Sequence, residues 1–278
     1  MSKVMFKDLD EKGKKLLEKN SQYKGKYKGK RCFVIGNGPS VNQLDFNMMR
    51  DEVTITVNEM FRHYDFLKLK SNFHFIADPY YFKLNSLNEV DREILEKIYL
   101  LCENGTKLFV PMESAECVKR YGWKNKLDIN YGGERNYNPS YYDDYKEDID
   151  FTKYIPAFQA VVQWGIAFAI YLGCNEICLL GCDATNIATD LSLFVKKDYE
   201  LSYAYKLTEK VAEIVKGQHL SLGLERTLNG YGRIVHLFGE LYRYCKQNGI
   251  RLYNCSEESI LDNIPKRNVE GLLSWRER

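Results

Sequence analysis

Short apolar runs, each closed by a glycine, proline, asparagine or aspartate, punctuate this chain and leave it few ways to fold. Cys32-Phe-Val-Ile35 runs into Gly36-Asn-Gly-Pro-Ser40, Val53-Thr-Ile-Thr-Val57 into Asn58, and Phe73-His-Phe-Ile-Ala77 into Asp78-Pro79. Lys107-Leu-Phe-Val110 ends at Pro111, Glu176-Ile-Cys-Leu-Leu180 at Gly181-Cys-Asp183, and Arg251-Leu-Tyr253 at Asn254. Runs apolar at every position must be covered on both faces, which is the habit of parallel strands sandwiched between helices. Helical stretches fall between them. Residues 159–172 are apolar almost throughout, and 234–247 set Ile234, Phe238, Leu241 and Cys245 on one face. The expected class is α/β, with a mostly parallel sheet and helices on both faces.

Composition removes several function classes. The chain has 278 residues, 45% of them hydrophobic, which is enough to bury a core and excludes wholesale disorder. Forty basic against 38 acidic side chains give +2, without the basic excess of a nucleic-acid binder. The longest apolar run, Ala160 to Gly173, is short of a membrane span and contains Gln163, so it reads as a buried helix. No secretion signal opens the chain, and a cytoplasmic location is expected. Eight scattered cysteines form no CxxC pair and read as buried thiols; Cys174, Cys178 and Cys182, at even spacing, are expected on one strand face. The four histidines (63, 74, 219 and 236) form no two-histidine metal motif, so no metal site is expected. His63 and His74, in early elements, read as structural.

Three segments stand apart. Residues 1–31 carry ten lysines and one arginine against four acids, and read as a basic solvated lead-in; a surface meeting anionic lipid head groups at the inner face of a membrane is the alternative. Tyr131 to Asp150 reads as an irregular excursion, its Asp148-Ile-Asp150 pair as surface acids. Asn186 to Gly232, with a helix over roughly 196–216 and a loop Gly217 to Gly223, lies between core elements where a lid is inserted. The division expected is a lead-in (1–30), a nucleotide-binding α/β domain (31–185), a lid (186–232) and a return to the α/β domain (233–278).

Ligands of open parallel sheets bind beyond the carboxyl ends of the strands. Four such ends carry small or polar residues: Gly36 to Ser40, Asn58, Asp78 and Gly181 to Asp183. The Gly-Asn-Gly-Pro-Ser turn permits close backbone approach, and a helix starting after it would offer free N–H groups to an anion. Read more plainly, the turn is a tight bend with Ser40 as a helix cap. The six-residue dinucleotide glycine pattern and the Walker pattern are both missing, which disfavours ordinary NAD or ATP sites.

The segment Ile35-Gly-Asn-Gly-Pro-Ser-Val41 followed by a strand ending Val57-Asn58 resembles the bacterial sialyltransferases of glycosyltransferase family 42. Ala160 to Asp183, an apolar helix and then a strand ending Gly-x-Asp, is similar to that family's second nucleotide-binding motif, and Gly249-Ile-Arg-Leu-Tyr-Asn-Cys-Ser256 with Ile260-Leu261 to its closing strand. A wider group of bacterial glycan-cluster proteins and archaeal pterin diphosphokinase-like proteins shares the pattern. The resemblance implies a Rossmann-like sheet with a small inserted lid, and a metal-independent, inverting glycosyltransferase of polysaccharide biosynthesis. Its donor would be a CMP-activated sialic or related nonulosonic acid, its acceptor a glycan; it would need no cofactor and would form a homo-oligomer.

Carried over residue by residue, the resemblance assigns Gly36, Asn37, Gly38 and Ser40 to the phosphate and ribose. Asn58 would hold the donor, with Asp78 where the family has asparagine. Gly181, Cys182 and Asp183 would hold the nucleoside, Asp183 as hydroxyl acceptor. The family's serine-glycine pair at the start of the long helix is replaced near Ala160-Val161, and its catalytic histidine aligns near Gly232, so His219 in the lid and His236 at the start of the last helix are the bases considered. Tyr199, Tyr203 and Tyr205 are candidate donors to the departing phosphate. Two other readings remain open: an Mg²⁺-dependent diphosphokinase using Asp78 with Asp183, and a non-catalytic nucleotide-binding protein of a glycan pathway.

Overall fold

The computed structural model describes residues 9–84, 88–123, 127–135, 148–196, 203–205 and 209–273. Its first half holds α1 (Glu11–Glu18), β1 (Arg31–Ile35), β2 (Val53–Val57), α2 (Phe66–Leu69), β3 (Phe73–Phe75), α3 (Glu89–Glu103) and β4 (Lys107–Pro111). Then come α4 (Ala115–Arg120), β5 (Ile129–Glu134), β6 (Tyr154–Ile155), α5 (Val161–Tyr171), β7 (Glu176–Leu180), α6 (Asn186–Lys196), α7 (Glu209–Leu222), α8 (Leu224–Gln247), β8 (Arg251–Asn254) and α9 (Val269–Leu273).

The strands form one eight-stranded sheet in the order β6-β5-β4-β3-β2-β1-β7-β8, with every neighbouring pair parallel. The expected α/β architecture is therefore present. The chain winds outward from β1 to β6, then recrosses to lay β7 on the other side of β1. That reversal puts a topological switch point between β1 and β7, where open sheets part to form a crevice. Each face has its own core: Ile94, Ile98 and Leu101 of α3 and Val118 of α4 pack on one, Phe168 of α5 and Phe238 of α8 on the other. Helix α5 is apolar nearly all round because it lies between the sheet and α8, and Gln163 through Ala169 are all buried. Gln163 is accommodated because it caps its own helix: its Oε1 accepts from the N–H groups of Gln159 (3.0 Å) and Ala160 (3.1 Å), and its Nε2 donates to the Ile234 carbonyl (2.9 Å). Among the described residues, no helix is long and apolar enough to cross a membrane.

Four local expectations need correction. The described part of the lead-in is built into the fold. Asn20, fully buried, donates to the carbonyls of Tyr131 (2.7 Å) and Phe151 (2.9 Å), and Tyr23 sits edge-on to Phe73 in the aromatic core. Gly25, Tyr27 and Gly29 hydrogen-bond to the carbonyls of Tyr171, Leu172 and Gly173, which leaves the lysines between them in solvent. Cys174, Cys178 and Cys182 do not share a face: only Cys178 is in β7, and it packs on the side opposite the other two. Within Tyr131 to Asp150, residues 131–134 belong to β5; residues 136–147 lie outside the described residues. The segment expected as a lid comprises α6, α7 and the first part of α8, so the boundary expected at 233 falls inside a helix, and His219 belongs to α7 rather than to a loop. Gly230 and Gly232 lie inside α8, where each weakens a helix interior by only about 1 kcal/mol, which the packing of Leu237, Phe238 and Leu241 outweighs.

Candidate functional site

Because all eight strands are parallel, their carboxyl ends share one edge. There the residues following β1, β2, β3 and β7, with the last residue of β5, line one cavity of about 610 Å³. Asn37, Gly38, Asn58, Asp78, Gly181 and Cys182 line it; the amino end of α5 (Ala160 to Val162), Trp164, Tyr203 and Tyr231 complete the wall. Ladder bonding continues beyond β1 and β7, with Gly36 N–H on the Leu180 carbonyl and Gly38 N–H on the Gly181 carbonyl, both at 2.8 Å. The two turns are so close that a Cβ at Gly38 would lie 2.4 Å from an Asp183 oxygen and 2.7 Å from the Gly181 carbonyl. Only glycine fits there.

Ser40 and Asp183 take other roles than expected. The Ser40 backbone N–H donates to Asp183 Oδ2 at 3.0 Å and its hydroxyl donates to Asp183 Oδ1. Asp183 is only 2% exposed and neither residue lines the cavity. The aspartate is thus a clamp that holds the turn after β1 against the turn after β7, rather than an open acceptor for a ligand hydroxyl. Ser40 does not cap a helix either; it lies inside the short 3₁₀ turn Pro39–Gln43, which starts after Gly38.

Asn37 and Asn58 line the cavity, and the Oδ1 atom of each is buried with no hydrogen-bond partner among the described residues. A buried acceptor left unpaired costs about 1–3 kcal/mol. Asn58 (φ 44°) and Ala184 (φ 55°), both lining the cavity, hold left-handed backbone, a strain that clusters at binding sites. Asp78 accepts from the N–H of Tyr80 at 2.8 Å and caps the turn that follows.

The aromatic wall is held from the segment between α6 and α7. Ala204 N–H donates to the Asn37 carbonyl at 2.9 Å, which pins Tyr203 over the cavity, and Tyr203 stacks on Tyr205 at 5.4 Å. Burial pushes the Tyr203 hydroxyl up to about 12, so at neutral pH it is a proton-bearing donor. Tyr231, which sequence reasoning missed, donates its hydroxyl to Asp190 and lies between this cavity and a second hollow of about 940 Å³ that shares Gln159, Tyr231 and Ile234. Tyr199 lies outside the described residues, as does the side chain of His219.

The other histidines are elsewhere. His236 sits within α8, not at its start, half-exposed, with Nε2 3.7 Å from Glu240, and does not line the cavity. His74 is fully buried in β3 with Nδ1 2.8 Å from Thr56 Oγ1, and burial depresses it to about 3. His63 bonds to Asn42 at 3.0 Å.

The carboxyl group that lines the cavity beside Asp78 is Glu134 at the end of β5. Its Oε1 accepts from Phe158 N–H at 2.9 Å, and the Trp164 side chain also bonds to it. Burial raises its carboxyl to about 7; nearby Glu113 adds to the rise, while the Phe158 and Trp164 hydrogen bonds oppose it. The sequence signal was weak: Leu127-Asp-Ile-Asn-Tyr-Gly-Gly-Glu134 is a broken run whose glycines read as loop. Those glycines have a packing reason, since a Cβ at Gly132 would lie 1.9 Å from the Trp164 ring.

No family sequence model and no curated protein sequence matches the chain. Among solved structures the chain is similar to the sialyltransferase CstII from Campylobacter jejuni, in complex with a substrate analogue, cytidine-5'-monophosphate. The sequences are 17% identical, 85% of this chain and 84% of that chain are covered, and the TM-score is 0.43. At this level the likeness assigns neither a residue nor an activity.

The geometry also bears on metal chemistry. Among the described residues, no cluster of three histidine, cysteine or carboxylate side chains is placed to hold a metal ion. The pair Asp78 and Asp183, which a diphosphokinase would need beside its phosphates, does not meet at the cavity, because both Asp183 oxygens are engaged by Ser40.

Proposed function

We propose that this protein is a transferase for a CMP-activated sugar of the sialic or related nonulosonic acid type, passing it to a glycan hydroxyl. The observation that carries the reading is that Asn37 and Asn58, at the strand ends whose motif resembles family 42 sialyltransferases, line one cavity together with the amino end of α5 and Tyr203. Among the described lining residues none is lysine, arginine or histidine, so the phosphate would be met by backbone N–H groups, the positive end of α5 and the Tyr203 hydroxyl. Neutral donors of this kind stabilise a departing phosphate without a metal. The second hollow, opening past Tyr231, is where the acceptor glycan would lie.

The test is a thermal-shift panel of CMP, CDP, UMP, UDP, GDP, AMP and ATP. Ligand at 100 times its dissociation constant stabilises the folded state by about 2.7 kcal/mol. CMP should give the largest shift, and Asn37→Ala and Asn58→Ala should each weaken it at least tenfold. A preference for ATP or AMP sinks the reading.

A further inference from the structure

We propose that Glu134 is the group that takes the proton from the attacking acceptor hydroxyl. This inference rests on the transferase reading and names a residue that the resemblance does not supply. Glu134 lies at the carboxyl end of β5, on the same cavity as Asn37 and Asn58. Phe158 N–H fixes one of its oxygens and the Trp164 side chain flanks it, so the carboxylate is held in a set orientation by the segment leading into α5.

Of the other candidate bases, those whose side chains are described lie off the cavity or cap a turn. His63, His74 and His236 do not line the cavity, the His219 side chain lies outside the described residues, and Asp78, which does line it, caps the following turn through the Tyr80 N–H. The charged groups that bear on Glu134 are few: Glu113, from the turn after β4, opposes its ionisation, and Asp78 shares its cavity. Desolvation there brings the carboxyl to about 7, so near neutral pH a substantial fraction is ionised and able to accept a proton.

The step balances without a co-reactant. The acceptor oxygen bonds to the anomeric carbon as the bond from that carbon to the CMP phosphate oxygen breaks, and the electron pair leaves with CMP. The hydroxyl proton passes to the Glu134 carboxylate and then to solvent. With water in place of the glycan, the same step is donor hydrolysis, which makes the idea testable without knowing the acceptor.

The experiment measures CMP release from CMP-sialic acid by the full chain between pH 5 and 9, and CMP affinity by calorimetry, for the wild type, Glu134→Gln and Glu134→Asp. The wild-type rate should climb through a single limb near pH 7. Glu134→Gln should bind CMP within threefold of the wild type, lose at least 100-fold in rate, and lose the limb; Glu134→Asp should recover part of the rate. A Glu134→Gln rate within tenfold of the wild type, with the limb intact, overturns the proposal. Wild-type protein that binds CMP yet releases none from the sugar nucleotide also overturns it while leaving the nucleotide site standing. Wild-type protein that does not bind CMP defeats the transferase reading and this proposal together.

Discussion

Ser40 and Asp183 are joined twice, through a backbone N–H and through a hydroxyl, across 143 residues of chain. That double bond closes the crevice between β1 and β7 from behind. It shapes the cavity that Asn37 and Gly181 face without entering it.

Removing either partner should therefore loosen the site and the fold together. Ser40→Ala leaves a buried carboxylate with one donor and should destabilise by about 1–3 kcal/mol. Asp183→Ala should cost a similar amount. Urea denaturation reads the loss, and CMP affinity should fall in parallel; unchanged stability in both variants would contradict the clamp.

Gly132→Ala tests the cavity wall. The added methyl meets the Trp164 ring, so Trp164 must swing or the strand must shift. Overpacking of this kind costs about 1–3 kcal/mol. Tryptophan fluorescence should change, and nucleotide binding should weaken because Trp164 lines the site.

His74 should make the protein acid-sensitive. Folding holds it neutral down to about pH 3, while the unfolded chain takes up its proton below about 6.5. Stability contributed at neutral pH is thus lost as pH falls from 6.5 toward 3, by up to about 1.4 kcal/mol per unit. His74→Phe, beside Phe61 and Phe66, should flatten this dependence relative to the wild type in parallel denaturation series.

Glu134 has the opposite sign. Its folded carboxyl keeps a proton up to about pH 7, whereas the unfolded one releases it near 4.5. Wild-type stability should decline across that window and level off above it. Glu134→Gln keeps an acceptor for Phe158 N–H and carries no charge, so its advantage over the wild type should grow from pH 4.5 to 7 and reach the order of 2 kcal/mol. A constant difference across that range would argue against the buried acid.

Much of this architecture was already legible along the chain. The runs at Cys32, Val53, Phe73, Lys107, Glu176 and Arg251 all became parallel strands, and the turn residues after them were recognisable from their own chemistry. Such features depend on hydrophobic period and on glycine, proline and asparagine preferences within a few residues. The two-residue strand β6 gave no such signal, since its place comes only from pairing with β5. The glycine-rich amino half of α8 was missed because its helix is supported by neighbours rather than by propensity.

Residue order alone made it legible that the chain alternates strands with helices, that α5 is buried, and that small polar residues end the central strands. Tertiary structure decided which of those ends share a cavity. Strand order, set by how helices cover two faces at once, brought Glu134 to the cavity from β5, turned Asp183 inward onto Ser40, and left His236 outside. Local pattern carries backbone conformation; the neighbours a side chain meets across a hundred residues follow from the packing of the whole sheet.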